Sequence, residues 1–182
     1  MKKLILVPFV ICFLAVSSNS LAFAGWDPGK VEQKQKEAEA TIARFKQADP
    51  SMKRFFDNAH GYAVFPTIGK GAFIIGGAHG SGLVYEKRQI IGTVTLTQVT
   101  VGLQAGGQSY SEIIFFYDKV ALDSLKNNDL KFAAQASAIA ATAGASTDVD
   151  YEGGVAVFTM GQGGLMLEAS IGGQQFQFEP YP

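Results

Sequence analysis

The stretch that decides the fold is Ala59–Glu86, AHGYAVFPTIGKGAFIIGGAHGSGLVYE. Between Gly69 and Gly82 it holds six glycines, interleaved with or flanked by Phe73, Ile74, Ile75, Leu83 and Val84. A flexible linker is rich in glycine but lacks such apolar side chains. Glycine within an apolar strand marks a bulge, a sharp bend or the close approach of another backbone. The stretch therefore predicts tightly curved, antiparallel β-structure with room left for something packed against it.

Upstream, two helices are predicted. Asp27-Pro28 supplies an N-cap acid and a proline at the first helical position. Val31, Ala38, Ile42 and Phe45 then form one apolar stripe among Lys and Glu. Asp49-Pro50 repeats the start signal, and Met52, Phe55, Phe56 and Ala59 follow at i, i+3, i+4 and i+7, with Gly61 as a C′ stop. From Gly61 onward the period is two. Strands are expected at Tyr62–Pro66, Phe73–Ala78, Gly82–Tyr85, Thr93–Val101, Ile113–Tyr117, Val155–Met160, Leu165–Ile171 and Phe176–Phe178, with a phase slip near Thr97-Gln98 that reads as a bulge. Asp118–Leu125 predicts a short helix, whereas Leu130–Ala145 suits helix and strand equally.

Residues 1–24 read as a cleaved signal peptide: Lys2 and Lys3, an apolar run over Leu4–Val16, and a small-x-small site at Ala22-Phe23-Ala24. Export to the periplasm or beyond follows as an expectation, with the mature chain starting at Gly25. Cys12 is preceded by Ile11 and followed by more apolar residues, so it belongs to the apolar run and not to a lipoprotein cleavage site. Residues 25–182 have the length of one domain, without a cysteine to cross-link it. The mature part carries 13 basic and 16 acidic residues, and Asp118–Pro182 holds eight of the acids against three bases. Nucleic acid, whose phosphates need a concentrated basic face, is a poor partner.

Chemistry-bearing constellations are sparse. With only His60 and His79 left after export, a structural zinc site lacks its four Cys or His ligands. Asp148, Asp150 and Glu152 resemble the start of a calcium loop, yet Thr159 stands where the bidentate acid belongs, so they make a weak calcium candidate and an acidic surface loop leading into a strand is the better account. Gly107-Gln108-Ser109-Tyr110-Ser111 lacks the closing glycine of a serine elbow. Around Gly76–Gly82, Lys70 precedes the glycine run, where a phosphate cradle needs Lys-Ser/Thr after it. No catalytic residues and no cofactor are predicted. What remains is a membrane surface: Lys30, Lys34, Lys36, Arg44, Lys46, Lys53 and Arg54 flank the apolar stripes of both helices. The alternative is that those stripes pack on the sheet and the lysines are merely solvated.

Several segments, in order, resemble the SYLF domain: Ala59-His60-Gly61-Tyr62-Ala63-Val64-Phe65, Gly71-Ala72-Phe73, Gly77-Ala78-His79-Gly80-Ser81-Gly82-Leu83-Val84, Val101–Gln108, Glu112–Phe116, Ala121-Leu122, Phe132–Ser137 and Gly164–Ala169. The resemblance covers about Ala59–Phe178. It departs from the family in Gln89–Gln98, which lacks a Trp-Ser/Ala-Pro segment, and at Ala143-Gly144-Ala145, where Gly-Pro-x-Gly is usual. It implies binding of membrane lipid without catalysis; for an exported protein, anionic phospholipids are the natural ligands.

The expected fold is thus α+β, with two N-terminal helices packed on a curved, glycine-rich antiparallel sheet or partial barrel, and a short helix near 118–126. The expected role is reversible binding of phospholipid or a membrane surface, with Lys53, Arg54 and Lys70 as headgroup contacts. The rival reading is an envelope protein–protein interaction module that uses exposed strand edges or the acidic C-terminal half.

Overall fold

A computed structural model describes residues 28–71, 75–101, 108–132, 136–162 and 168–181. The expected signal peptide, Trp26 and the apolar residues Phe73, Ile74, Leu165 and Leu167 lie outside them. Helix α1 spans Pro28–Ala48. A single 3-10 turn over Pro50–Met52 leads into the six-residue α2, Lys53–Asn58. Four strands follow: β1 Gly61–Gly71, β2 Ile75–Glu86, β3 Gln89–Val101 and β4 Gln108–Phe116. Then come α3 at Lys119–Lys126, β5 at Ser137–Ala140, β6 at Val155–Gly161, β7 at Glu168–Ser170 and β8 at Gln174–Pro180.

All eight strands join one sheet in the order β7-β5-β6-β4-β1-β2-β3-β8. Every pair is antiparallel except β5 with β6. The sheet is therefore mixed, antiparallel as expected in every other pair. The parallel pair comes from the stretch left open between helix and strand: among its described residues Ser137–Ala140 form a strand, and the turns that follow return the chain to β6.

Curvature follows from the connectivity. The edge strands β7 and β8 sit at opposite ends of the order, roughly 34 Å apart if flat at about 4.8 Å per strand. Three residues, 171–173, join them, and four extended Cα steps reach only about 14 Å. The sheet must curl. It stops short of a closed barrel, because β7 and β8 are not paired.

The glycines make that curl possible. Gly80 and Gly82 face the inside, where Ile68 and Phe65 press on them: a Cβ on Gly80 would meet Ile68 Cγ1 at 2.7 Å, and one on Gly82 the Val64 carbonyl oxygen at 2.4 Å. Gly61 has the same reason, since its Cβ would stand 2.5 Å from the Tyr85 carbonyl oxygen. It opens β1 instead of stopping α2, whose C-cap is Ala59. A bulge at Pro66-Thr67 keeps β1 in phase, so that Ala63, Phe65 and Ile68 all face inward. Strand β1 therefore runs to Gly71, beyond the predicted end at Pro66. The phase slip expected near Thr97-Gln98 is absent; β3 pairs continuously from Gly92 to Val101, and its irregularity lies opposite Val84/Tyr85.

Two cores result. The inner one gathers Phe65, Ile68, Val94, Leu96, Ile114, Phe116 and Phe176, with α3 adding Ala121, Leu122 and Leu125. The outer one is the apolar stripe of the N-terminal helices, with Ala38, Phe45, Met52, Phe55 and Phe56 packed on Tyr62, Val64, Ile113, Phe115 and Phe158. Phe55 and Phe56 both meet Phe115, at ring centroid distances of 5.3 and 4.8 Å. The apolar faces of α1 and α2 are thus spent on the sheet.

Candidate functional site: a cationic cluster at the β2–β3 turn

Helix α2 ends beside the turn that joins β2 to β3. Lys53, one turn before Asp57 on the helix, pairs with its carboxylate, and Arg88 reaches the other carboxylate oxygen at 3.1 Å. Lys46 of α1 stands over the Phe56 ring, its Nζ 4.4 Å from the centroid. Asp57 is held below the usual carboxylate range, chiefly by the Lys53 hydrogen bond and further by the charges of Lys53, Arg88 and Lys46. Lys87 precedes Arg88 in the turn. Three cations therefore act on Asp57, with Lys87 beside them in the turn, in a protein whose net charge is −1. The side chains of Lys53 and Arg88 are 76% and 70% exposed, so water screens their ion pairs, which add little to stability.

The turn itself is unusual. Lys87 and Arg88 have φ of 49° and 68°. A two-residue hairpin loop with both φ positive is favoured by the twist of its strands, and Asn-Gly or Gly-Gly fill it without crowding. Here two long cationic side chains occupy left-handed positions that cost about 1–2 kcal/mol per residue.

The residues predicted as headgroup contacts separate. Lys53 belongs to the cluster. Arg54 is turned to the fold: its guanidinium lies 4.7 Å from the Phe55 ring centroid and donates to the Ser146 carbonyl at 2.7 Å and to that of Val149. Lys70 is in strand β1, not in a loop, pairing with Ala78 and Gln108. Nine residue steps along the strand separate it from Gly61, roughly 30 Å at about 3.3 Å per residue, so it stands at the opposite end of the sheet. Of the other helical cations, Lys34 reaches Ser81 Oγ, Lys36 pairs with Glu32, and Arg44 donates to Ser111 Oγ. Lys87 and Arg88 are not among the predicted contacts; they fall between the expected strands Gly82–Tyr85 and Thr93–Val101, without the Asn-Gly or Gly-Gly that signals a tight turn.

Among the described residues no three acids, histidines or cysteines converge as a metal site requires. Asp148 and Asp150 lie in the loop before β6, and Glu152 forms an isolated bridge with Val155. His60 bonds Glu86 at 3.0 Å, and Lys126 approaches the other oxygen of Glu86 at 3.4 Å. His79 is exposed on β2. No helix among the described residues is long and apolar enough to cross a membrane.

No family model matches the chain. Over 141 residues, 76% of its length, it is 29% identical to Beta cell expansion factor A of Aeromonas veronii. The matched region is 53% of that protein, so the chain spans about half the length of the curated relative it matches.

Proposed function

We propose that the chain is a SYLF-type domain that binds anionic membrane surfaces, without catalysis, through Lys46, Lys53, Lys87 and Arg88. The observation that carries this reading is the turn: two cations occupy positions where side chains are strained, next to Lys46, Lys53 and Asp57, while the adjoining Glu86 is paired with His60 and Lys126. Strain of this kind concentrates where a side chain is kept for a task. A juxtamembrane cation contributes about 1 kcal/mol at an anionic surface, so a net of three charges supports weak, reversible and salt-sensitive attachment. The resemblance of Ala59–Phe178 to a lipid-binding family supports the same reading. Because the apolar faces of α1 and α2 are buried on the sheet, attachment is electrostatic at the surface rather than by insertion of either helix.

The test is co-sedimentation of the mature chain with phosphatidylcholine vesicles and with phosphatidylglycerol-containing vesicles, each at low and high salt. Binding to the anionic vesicles alone, weakened by salt and abolished in Lys46→Glu/Lys53→Glu/Arg88→Glu, is expected. Equal sedimentation of that variant would remove the cluster from the mechanism. Absence of binding under every condition would favour a protein partner.

A further inference from the structure

The curl closes at a seam where backbone pairing stops. Strands β7 and β8 come together there, joined through residues 171–173 but unpaired. On one side stands β8, held to β3 by seven consecutive residue pairs from Gly92↔Pro180 to Gln98↔Gln174. On the other stands a small unit made of β5 and β7. Among the described residues, β5 meets β6 at two positions, Ile139↔Phe158 and Ala140↔Thr159, and the Ala141 N–H then donates to the Thr159 carbonyl at 2.8 Å. Strand β7 lies at the edge of the sheet, with β5 as its neighbour. Little apolar surface anchors this unit: Ala138 and Ile171 enter the inner core, and Ile139 is half-buried against the outer one.

What draws the unit shut is a side chain. Gln98 of β3 reaches across the seam, and its Nε2 donates to the carbonyls of Ser170 and Gly172 at 3.0 and 2.8 Å. The same closure strands two polar atoms. Gln98 is 2% exposed and Thr159 fully buried, yet Gln98 Oε1 and Thr159 Oγ1 have no hydrogen-bond partner. A buried polar atom without a partner opposes the closed form, because water satisfies it in an open one. Attraction and penalty thus meet at one joint, with little burial behind the attraction. An element held by few buried contacts opens at lower free energy than the core.

We propose that the seam is a two-state latch: the unit of residues 136–141 and 168–172 leaves β6 and Gln98 while β1, β2, β3, β4 and β8 stay folded. The Gln98 amide sets how often it does so. Opening uncovers Ala138 and Ile171, and so gives the inner core a way out to the surface that needs no unfolding of the sheet. The latch is separate from the cationic cluster and stands or falls without it.

Native-state hydrogen exchange of the mature chain, read by NMR in rising urea below the unfolding transition, tests the latch. Two groups report it, the Ala141 N–H and the Gln98 Nε2 protons, because opening breaks the bonds of both. Relative to their intrinsic rates they should exchange about a hundredfold faster than the best-protected amides of β1 and β4, and with little urea dependence, since opening uncovers little surface. Gln98→Ala should lower the protection of Ala141 about tenfold. Thr159→Val, which removes a stranded hydroxyl and keeps the shape, should raise it. Gly82→Ala, whose clash with Val64 lies in the body of the sheet, burdens open and closed forms alike. It should lower the protection of the β1 and β4 amides but not that of Ala141. If Ala141 and Gln98 matched the β1 and β4 amides in protection and urea dependence, or if Ala141 followed Gly82→Ala, the unit would leave only with global unfolding and the latch would be overturned. Unchanged Ala141 protection in Gln98→Ala would overturn the role of that amide, and in Thr159→Val the role of the stranded hydroxyl.

Discussion

Gln174 on β8 and Glu112 on β4 lie four strand spacings apart along the sheet, yet the Gln174 Nε2 donates to Glu112 Oε2 at 3.0 Å. Laid flat, those strands would be roughly 19 Å apart at about 4.8 Å per spacing. The bond therefore spans the inside of the curl. Next to Gln174 on β3, Gln98 donates to the carbonyls of Ser170 and Gly172, at 3.0 and 2.8 Å. Side-chain amides thus hold the seam that backbone pairing leaves open. Gln174→Ala should cost about 1.5–3 kcal/mol, the range for a hydrogen bond to a charged group. Urea unfolding checks it; a midpoint unchanged from the parent would mean the bridge contributes nothing.

Asp49 makes the corresponding tie on the helical side. Fully buried, it caps the 3-10 turn through the Ser51 N–H at 3.0 Å and accepts from the N–H groups of Ser146 at 2.7 Å and Gly144 at 3.2 Å. Burial is the largest single influence on its carboxyl and opposes ionisation. The hydrogen bonds from Ser51 and Ser146 together outweigh it and lower the pKa. A depressed folded pKa adds stability that is complete above the unfolded value, about 3.9, and is lost as pH falls through the folded one. Melting temperatures measured downward from neutral pH should therefore fall in that acid range, and fall less steeply in Asp49→Asn. Parallel curves for the two proteins would refute the assignment.

The elements most legible in the sequence were those with a local cause. Pro28 marked the start of α1, and Asp118, whose Oδ1 accepts from the Ala121 N–H at 2.9 Å, marked the start of α3. The curl was legible because glycine set among apolar strand residues leaves space that a neighbouring backbone fills. The length of β1 was not, since its bulge at Pro66 is repaired from afar: the Pro66 carbonyl accepts from Ser111 Oγ at 2.7 Å and Gln162 Nε2 at 2.8 Å. Nor did local pattern reveal the inward phase of Gln98, whose partners lie more than seventy positions downstream. At the candidate site, charge counting picked Lys53 and Arg54 alike, because a guanidinium that binds carbonyls of a distant loop looks, in sequence, like any other surface cation.

Two glycines in neighbouring strands separate space from composition. Gly82→Ala would place its Cβ 2.4 Å from the Val64 carbonyl oxygen and 2.9 Å from Phe65, and backbone cannot yield as a side chain does. Gly69→Ala meets nothing within 4 Å. The first should cost at least the roughly 1–3 kcal/mol of core overpacking, the second under about 0.5 kcal/mol. Denaturant midpoints decide it; equal losses would mean that close approach is not why Gly82 is glycine.

Arg54 should prove structural. Arg54→Ala frees the Ser146 and Val149 carbonyls, and with two bonds from a charged donor lost, a cost of about 1.5–3 kcal/mol is expected. Sedimentation with anionic vesicles at a temperature where the variant is folded should match the parent. A variant that keeps its stability but loses vesicle binding would return Arg54 to the headgroup site.

The β2–β3 turn offers the sharpest test, because strain and charge predict opposite effects of one change. Replacing Lys87-Arg88 by Asn-Gly supplies the residues that a turn with two positive φ values accepts most easily. Relief of the left-handed strain should stabilise the protein by about 1–2 kcal/mol. The pair between Arg88 and Asp57 is lost as well, but it is exposed and screened, so its loss offsets little of that gain. At an anionic surface, loss of two cations should weaken attachment by about 2 kcal/mol, or roughly thirtyfold. Urea unfolding and vesicle co-sedimentation on the same variant read both quantities. A variant more stable than the parent but equally bound would show the strain to be incidental to lipid attachment. A less stable variant would show that the two cations are held there by the fold itself.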